Sequence, residues 1–241
     1  MKLAIIGYGK MGRAIEAAAP AYGDEVILVV DSTDELRANL DKLNLCDVAI
    51  EFSTPSTAAD NVALCLNEQI PVVVGTTGWY DRLPELRKKC ETKSGSLFVA
   101  SNFSIGMNIV FHLAQELTRI THEYASYVPA ISETHHIHKL DAPSGTAIQL
   151  ANIVAREQGL ENGWKLLNEG DPQPAGAVPI TSYRIGEVPG IHQLTLDSEQ
   201  DRITLTHEAK GRQGLVHGVF AAAHYLVQNP GYKTMDDLLK F

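Results

Sequence analysis

The first hundred residues alternate between short unbroken apolar runs and stretches of helical character. Residues 3–6 form one apolar run closed by Gly7, residues 25–30 a second closed by Asp31, and 47–52, 71–74 and 97–100 continue the series. Short runs without polar alternation predict strands buried on both faces of a parallel sheet. Between them, residues 14–19 favour helix and Pro20 helps to stop it. Thr54-Pro55 pairs a capping hydroxyl with proline at the first helical position, opening a helix to about residue 67. Residues 81 to about 92 read as another helix. Strands alternating with helices in this way predict a doubly wound α/β sheet.

The pattern changes after about residue 102. A helix over 105–121 leads to a strand over 128–134, a polar histidine-rich stretch and a helix over 146–157. Residues 159–179 are rich in Gly, Pro and Asn and read as a long loop; 180–185, 193–196 and 202–207 read as strands. The last two flank Ser198-Glu199-Gln200-Asp201, which predicts an antiparallel hairpin, and residues 213–227 read as a final helix. The expected fold class is therefore α/β: a Rossmann-type doubly wound parallel sheet, plus a second α+β domain with a mixed, largely antiparallel sheet.

Composition narrows the function classes. A formal net charge of −9 disfavours nucleic acid as a partner, because phosphate backbones demand clustered Lys and Arg. Cys46, Cys65 and Cys90 are odd in number and far apart, so neither a disulfide framework nor a metal knuckle is expected. The chain runs straight into its first strand with no signal-peptide layout, and no apolar run is long enough to span a bilayer. A cytoplasmic protein without membrane contact is the expectation.

Gly7-Tyr8-Gly9-Lys10-Met11-Gly12 matches G-x-G-x-x-G, a weak motif alone. Here a strand precedes it, a helix follows it, and Asp31 ends the next strand about twenty residues on, which is the dinucleotide-binding context. Gly7 permits the tight turn, Gly9 lets the backbone approach a pyrophosphate, and Gly12 allows close helix–strand packing. Asp31 would accept hydrogen bonds from the adenosine ribose hydroxyls. Ser32 and Thr33 follow it with no adjacent Arg or Lys, so NADH is favoured over NADPH unless Arg37 or Lys10 reaches in. Gly75-Thr76-Thr77-Gly78 ends a later strand, where small hydroxyl residues suit the nicotinamide ribose. Ala100-Ser101-Asn102-Phe103 ends the next and could flank the nicotinamide ring. Either segment reads equally as an ordinary turn.

The densest chemistry lies between Glu133 and Ala147. His135, His136, His138, Lys139 and Asp141 fall within seven positions, followed by Pro143 and a helix start at Ser144-Gly145-Thr146. Ser144 is placed as N-cap, the amides of Gly145 and Thr146 point out of the helix end, and the start Ser144-Gly145-Thr146 is expected to bind a substrate carboxylate. Lys139 and one or two histidines would add positive charge, and histidine is the commonest general acid near neutral pH. The ensemble suits a small acid, such as a dicarboxylate, beside a proton donor. A solvated loop or a metal site are the competing readings. The absence of a recognised zinc spacing, and the lysine amid the histidines, argue against metal.

The run His-His-x-His-Lys-x-Asp-Ala-Pro-Ser-Gly-Thr-Ala closely resembles the signature of the 4-hydroxy-tetrahydrodipicolinate (dihydrodipicolinate) reductase family. The N-terminal fingerprint, Phe52-Ser53 before Pro55, Gly75 to Gly78 and Asn102 to Asn108 extend that resemblance over most of the chain. It implies NADH- or NADPH-dependent reduction of a cyclic, imine-bearing dicarboxylate on the diaminopimelate route to lysine. It implies His135 as proton donor and acceptor, Lys139 as second proton donor, and His136, Gly145 and Thr146 as substrate ligands. Gly7 to Gly12, Asp31, Gly75 to Thr77 and Ala100 to Phe103 fall on its cofactor positions. It further implies a C-terminal helix returning to the cofactor domain and a homotetramer. Residues 1–104 with 212–241 would then form the dinucleotide-binding domain, and 105–211 the substrate-binding and oligomerisation domain. Glu51-Phe52-Ser53 stands where Asp-Phe-Thr is more familiar. Two alternatives remain open: a sugar or amino-acid-semialdehyde dehydrogenase, and a non-catalytic nucleotide sensor.

Overall fold

The computed structural model describes residues 1–124, 127–168 and 170–241. In chain order the elements are β1 (Lys2–Ile6), α1 (Lys10–Ala18), β2 (Glu25–Val30), α2 (Thr33–Ala38), α3 (Leu40–Leu43), β3 (Val48–Glu51), α4 (Pro55–Asn67), β4 (Val72–Val74), α5 (Leu83–Thr92) and β5 (Leu97–Val99). There follow α6 (Ile105–His122), β6 (Val128–His135), α7 (Gly145–Glu157), β7 (Trp164–Leu167), β8 (Val178–Arg184), β9 (Ile191–Asp197) and β10 (Arg202–Glu208). The chain closes with α8 (Gln213–Gln228), β11 (Tyr232–Lys233) and α9 (Met235–Leu239). Two compact units result: Met1–Ile105 with Leu215–Phe241, and Gly106–Gly214.

The first unit is built on a six-stranded, wholly parallel sheet in the order β11-β5-β4-β3-β1-β2. Its strands are apolar throughout because both faces are covered. Ala4, Ile6, Ala49, Val72 and Val74 pack on one side with Leu36, Val62, Leu66 and Leu86 from α2, α4 and α5. Leu3, Ile5, Ile50, Val73 and Phe98 pack on the other with Ile15 of α1, Val219, Phe220 and Leu226 of α8, and Met235 of α9. Each fully buried Leu, Ile or Phe contributes about 1.5–3 kcal/mol of transfer free energy, so the last helices are integral to this core. Strand order reverses between β1 and β3, and dinucleotides bind at such reversals, beyond the carboxyl ends of the strands.

The second unit carries a five-stranded sheet ordered β10-β9-β6-β8-β7. Its inner face, with Ile131, Ile180, Leu194 and Leu196, packs on Met107, Val110 and Phe111 of α6 and Leu150, Ala151 and Val154 of α7. The β9–β10 hairpin is antiparallel, as its turn implied. The sheet is mixed, with antiparallel pairing along more of its length than parallel pairing. β6 pairs antiparallel with β9 and parallel with β8, and β7 pairs parallel with β8. The parallel share arises because β6 reaches β8 through α7 and β7 rather than through a tight turn. β7 itself lies inside the stretch expected to be a loop, of which residue 169 falls outside the described residues. The short α2, α3, β11 and α9 were likewise absent from the pattern reading.

Among the described residues no helix is long and apolar enough to cross a membrane. All three cysteines are buried and unpaired.

Candidate active site

In the first unit the glycine-rich loop joins β1 to α1. Gly7 has φ +92°, and a Cβ there would lie 2.1 Å from the Phe52 carbonyl oxygen. A Cβ at Gly12 would lie 2.2 Å from the Gly7 carbonyl oxygen. Both glycines are therefore required for β1, α1 and the end of β3 to meet. Gly9 differs: nothing lies within 4 Å of its would-be Cβ, and as N-cap of α1 it offers no side-chain partner to the helix amides. An exposed helix N-terminus free of a side-chain cap leaves backbone amides open to an anion.

Asp31 is drawn to this loop, accepting the Tyr8 amide at 2.7 Å. Its own amide donates to the Glu35 carboxylate at 2.8 Å, so a second carboxylate borders the position. Arg37 turns away to pair with Asp34 at 3.2 Å. Lys10 is exposed and Met11 half-buried against the α8 side of the core. Arg13, which pattern reading passed over, lies with its guanidinium 4.4 Å from the Tyr8 ring centroid, one turn into α1.

The other expected cofactor residues divide by exposure. Thr77 and Ser101 are exposed, whereas Thr76 is buried, its hydroxyl donating to Glu51 at 2.6 Å. Gly75 sits under the Phe52 ring, where a Cβ would come within 2.1 Å. Phe103 is a core residue, 2 % exposed and packed near Phe52 and Phe98, so only its backbone is placed to meet a ligand. Asn102 accepts the Ser104 amide at 2.8 Å, and Ala100 is buried.

In the second unit the chemistry grows out of strand alternation. Inward positions of β6 run Ile131, Glu133, His135, so the face that packs α7 at its start carries a carboxylate and an imidazole at its end. Register brings in residues far away in sequence. Glu133 stands opposite His192 on β9 and Ser182 on β8, His192 opposite His207 on β10, and His135 opposite Arg184. One rung of the sheet thus bears His207, His192, Glu133 and Ser182.

Glu133 organises this group. Its carboxylate bonds His135 Nδ1, accepts Arg184 Nη2 at 3.0 Å and accepts the Ser144 amide at 3.3 Å. Burial pushes its carboxyl up, but hydrogen bonds from His135, Arg184 and Ser182 outweigh that and hold it down to about 2. An ionised partner at Nδ1 fixes the proton there, leaving Nε2 as the exchangeable position of His135. His192 lies edge-on to His135, with ring centroids 5.0 Å apart. Burial foremost, then the neighbouring His135, pushes His192 down to about 4, which keeps it neutral.

Ser144 is the N-cap of α7, its hydroxyl accepting the Ala147 amide at 3.2 Å and meeting His192 Nε2 at 3.0 Å. With both partners in place and only 3 % exposure, that hydroxyl serves the protein and the helix tip is left to backbone groups. Gly145 is exposed with open space around it, and Thr146 is half-buried. The Lys139 ammonium contacts both Asp141 oxygens at 2.8 Å. His136 Nδ1 is buried without a hydrogen-bond partner, and His138 pairs with Glu187 at 3.0 Å on the surface. The sequence pattern singles out His135, Lys139 and the helix start. It gives Glu133 no role and cannot find Arg184 or His192, which arrive through long-range register.

Glu133, His135 and His192 place ligand-capable atoms within 4.8 Å of one another. The carboxylate already serves Arg184, His135 and an amide, and an added dication would face that guanidinium. The donor set suits an acid–base group better than a cation cage.

Comparison with known proteins agrees over the whole chain. Residues 1–103 match the family described as dihydrodipicolinate reductase, N-terminus, and residues 106–239 the one described as dihydrodipicolinate reductase, C-terminus. A 4-hydroxy-tetrahydrodipicolinate reductase of Christiangramia forsetii is 39% identical over 239 residues, covering 99% of this chain and 98% of the relative. One of Archaeoglobus fulgidus is 32% identical over 266 residues, covering 100% of each. Among solved structures, a dipicolinate-bound dihydrodipicolinate reductase from Paenisporosarcina sp. TG-14 superposes with a TM-score of 0.79 at 24% identity, covering 98% of each chain.

Proposed function

This chain belongs to the dihydrodipicolinate reductase family, and from that premise we propose that it reduces 4-hydroxy-tetrahydrodipicolinate to tetrahydrodipicolinate in diaminopimelate and lysine biosynthesis, with NAD(P)H as reductant. The observation that carries the reading is the Glu133–His135 pair at the end of β6, with Lys139 and the α7 N-terminus in the same segment. In this reading the first unit holds the dinucleotide, its pyrophosphate on the uncapped α1 terminus beside Gly9 and its adenosine ribose on Asp31. Thr77, Ser101 and the backbone at Asn102 and Phe103 flank the nicotinamide end. The second unit holds the dicarboxylate on the amides of Gly145 and Thr146, with His136 and Lys139 beside them, and carries the surfaces of a homotetramer.

When bound, the nicotinamide supplies a hydride to ring C4, after the 4-hydroxyl has left with a proton as water. Electron density then moves toward the ring nitrogen, and His135 or Lys139 delivers the proton that completes reduction. Glu133 holds His135 in one tautomer and balances the imidazolium. Arg184 and Lys139 place positive charge where negative charge develops, the effect that lowers barriers most. Asp31 and Glu35, with Arg37 committed to Asp34, favour NADH, since a 2′-phosphate would meet two carboxylates.

The test is NADH oxidation followed with substrate made in situ from pyruvate and aspartate semialdehyde by the preceding enzyme. Turnover with both coenzymes, better with NADH, is expected. No turnover with either would defeat the proposal.

A further inference from the structure

Glu51 ends β3 with 0 % exposure, and among the described residues no cation pairs with it. Its carboxylate is satisfied entirely by loop and helix donors. Oε2 accepts the Thr76 hydroxyl at 2.6 Å. Oε1 accepts the Ser53 amide at 3.2 Å and Asn61 Nδ2 at 3.3 Å, and also bonds the Ser53 hydroxyl. Two further contacts extend the set: the Ser53 amide reaches Thr76 Oγ1 at 2.8 Å, and Thr33 Oγ1 donates to Asn61 Oδ1 at 2.8 Å. The carboxylate thus binds together the chain just after β2, just after β3 and just after β4. Thr33 lies two residues beyond Asp31, and Thr76 immediately precedes exposed Thr77.

Taking a carboxylate out of water costs several kcal/mol even after relaxation, and a well-packed apolar side chain would hold a sheet edge at lower cost. What the carboxylate provides instead is a fixed mutual geometry of three loops, all at the carboxyl ends of strands beside the point where strand order reverses. We infer that Glu51 is a positioning residue for the dinucleotide, setting the β4 loop through Thr76 and the β2 loop through Asn61 and Thr33. The two ends of the cofactor, adenosine and nicotinamide, are then held in register by one buried group that touches neither. The inference rests on the reading that these loops bind NAD(P)H.

Glu51→Gln keeps the shape but replaces an acceptor oxygen with a donor. Full-length wild type and variant are titrated with NADH by fluorescence and assayed for steady-state kinetics. The expected result is a rise of roughly tenfold in the NADH Kd and coenzyme KM, the scale of one mismatched buried hydrogen bond. At saturating coenzyme, kcat and the KM for the organic acid stay at wild-type values, and Glu51→Asp recovers part of the lost affinity. Unchanged NADH Kd and KM in Glu51→Gln overturn the inference, and so does a loss spread evenly over kcat and both KM values, which marks a purely structural role. Should Glu51→Gln fail to fold, Thr33→Val reads the same network from its half-buried end. It is expected to weaken ADP-ribose and NADH binding several-fold, and wild-type affinity for both overturns the inference. Failure of the wild type to bind either coenzyme strikes the cofactor reading itself and is distinguishable from all of these.

Discussion

Single residues in the second unit carry separable duties. His135→Ala removes the proposed proton donor and should lower kcat by roughly a hundredfold or more, the usual worth of a general acid, as measured at saturating substrate. Unimpaired turnover would remove His135 from the chemistry. Glu133→Gln leaves the imidazole in place but takes away its ionised partner, so kcat should fall while the KM for coenzyme, bound by the other unit, holds. Equal damage to both would assign Glu133 a purely structural part. The same rung predicts how stability responds to acid. The unfolded-state value for histidine is about 6.5, whereas folded His192 sits at about 4. Between those limits the unfolded chain binds a proton that the folded chain does not, so the contribution of neutral His192 is present above pH 6.5 and drains away toward pH 4. An ordinary glutamate titrates near 4.3, and folded Glu133 sits at about 2. Its contribution is present above about pH 4.3 and is lost as pH falls toward 2. Urea midpoints taken from pH 7 down to pH 4 should decline for the wild type and decline less for His192→Gln. Parallel curves would contradict the assignment.

Elements show what sequence can and cannot disclose. The βαβ rhythm of the first unit was legible because strands covered on both faces are uninterrupted apolar runs, as residues 3–6 and 25–30 are. The start of α7 was legible because Ser144 is a local capping signal, satisfied within three residues by the Ala147 amide. β7 escaped because four residues at a sheet edge between Gly163 and Asn168 carry no period long enough to register. α9 rests on a capping box of Thr234 and Asp237, just beyond where the helical pattern of the tail was read to stop. Arg184 and His192 join Glu133 only through pairing of β8 and β9 with β6, information that no local window contains. The glycines of the β1–α1 turn offer an element-level test. Gly9→Ala has room for its methyl and should leave Tm within a degree or two while weakening NADH binding. Gly12→Ala drives the methyl against the Gly7 carbonyl oxygen and should lower Tm sharply. The reverse pattern would mean the loop does not hold the pyrophosphate as described. Ser144→Ala removes a cap worth about 1 kcal/mol and strips His192 Nε2 of its partner, so a measurable fall in Tm is expected.

At the scale of the whole molecule, a ligand bound by the first unit should stabilise that unit by mass action. NADH at a hundred times its Kd adds about 2.7 kcal/mol, which calorimetry would register as a raised Tm. No rise in saturating NADH or NADPH would contradict the coenzyme reading. The first unit is also discontinuous, since residues from Leu215 onward supply Val219, Phe220, Leu226 and Met235 to the core around Val73 and Phe98. Vectorial synthesis therefore finishes the inserted unit before the one that began first. Until residues 215–239 are made, the first unit lacks the helices that cover the Val73–Phe98 side of its sheet, and that apolar face stays open to solvent.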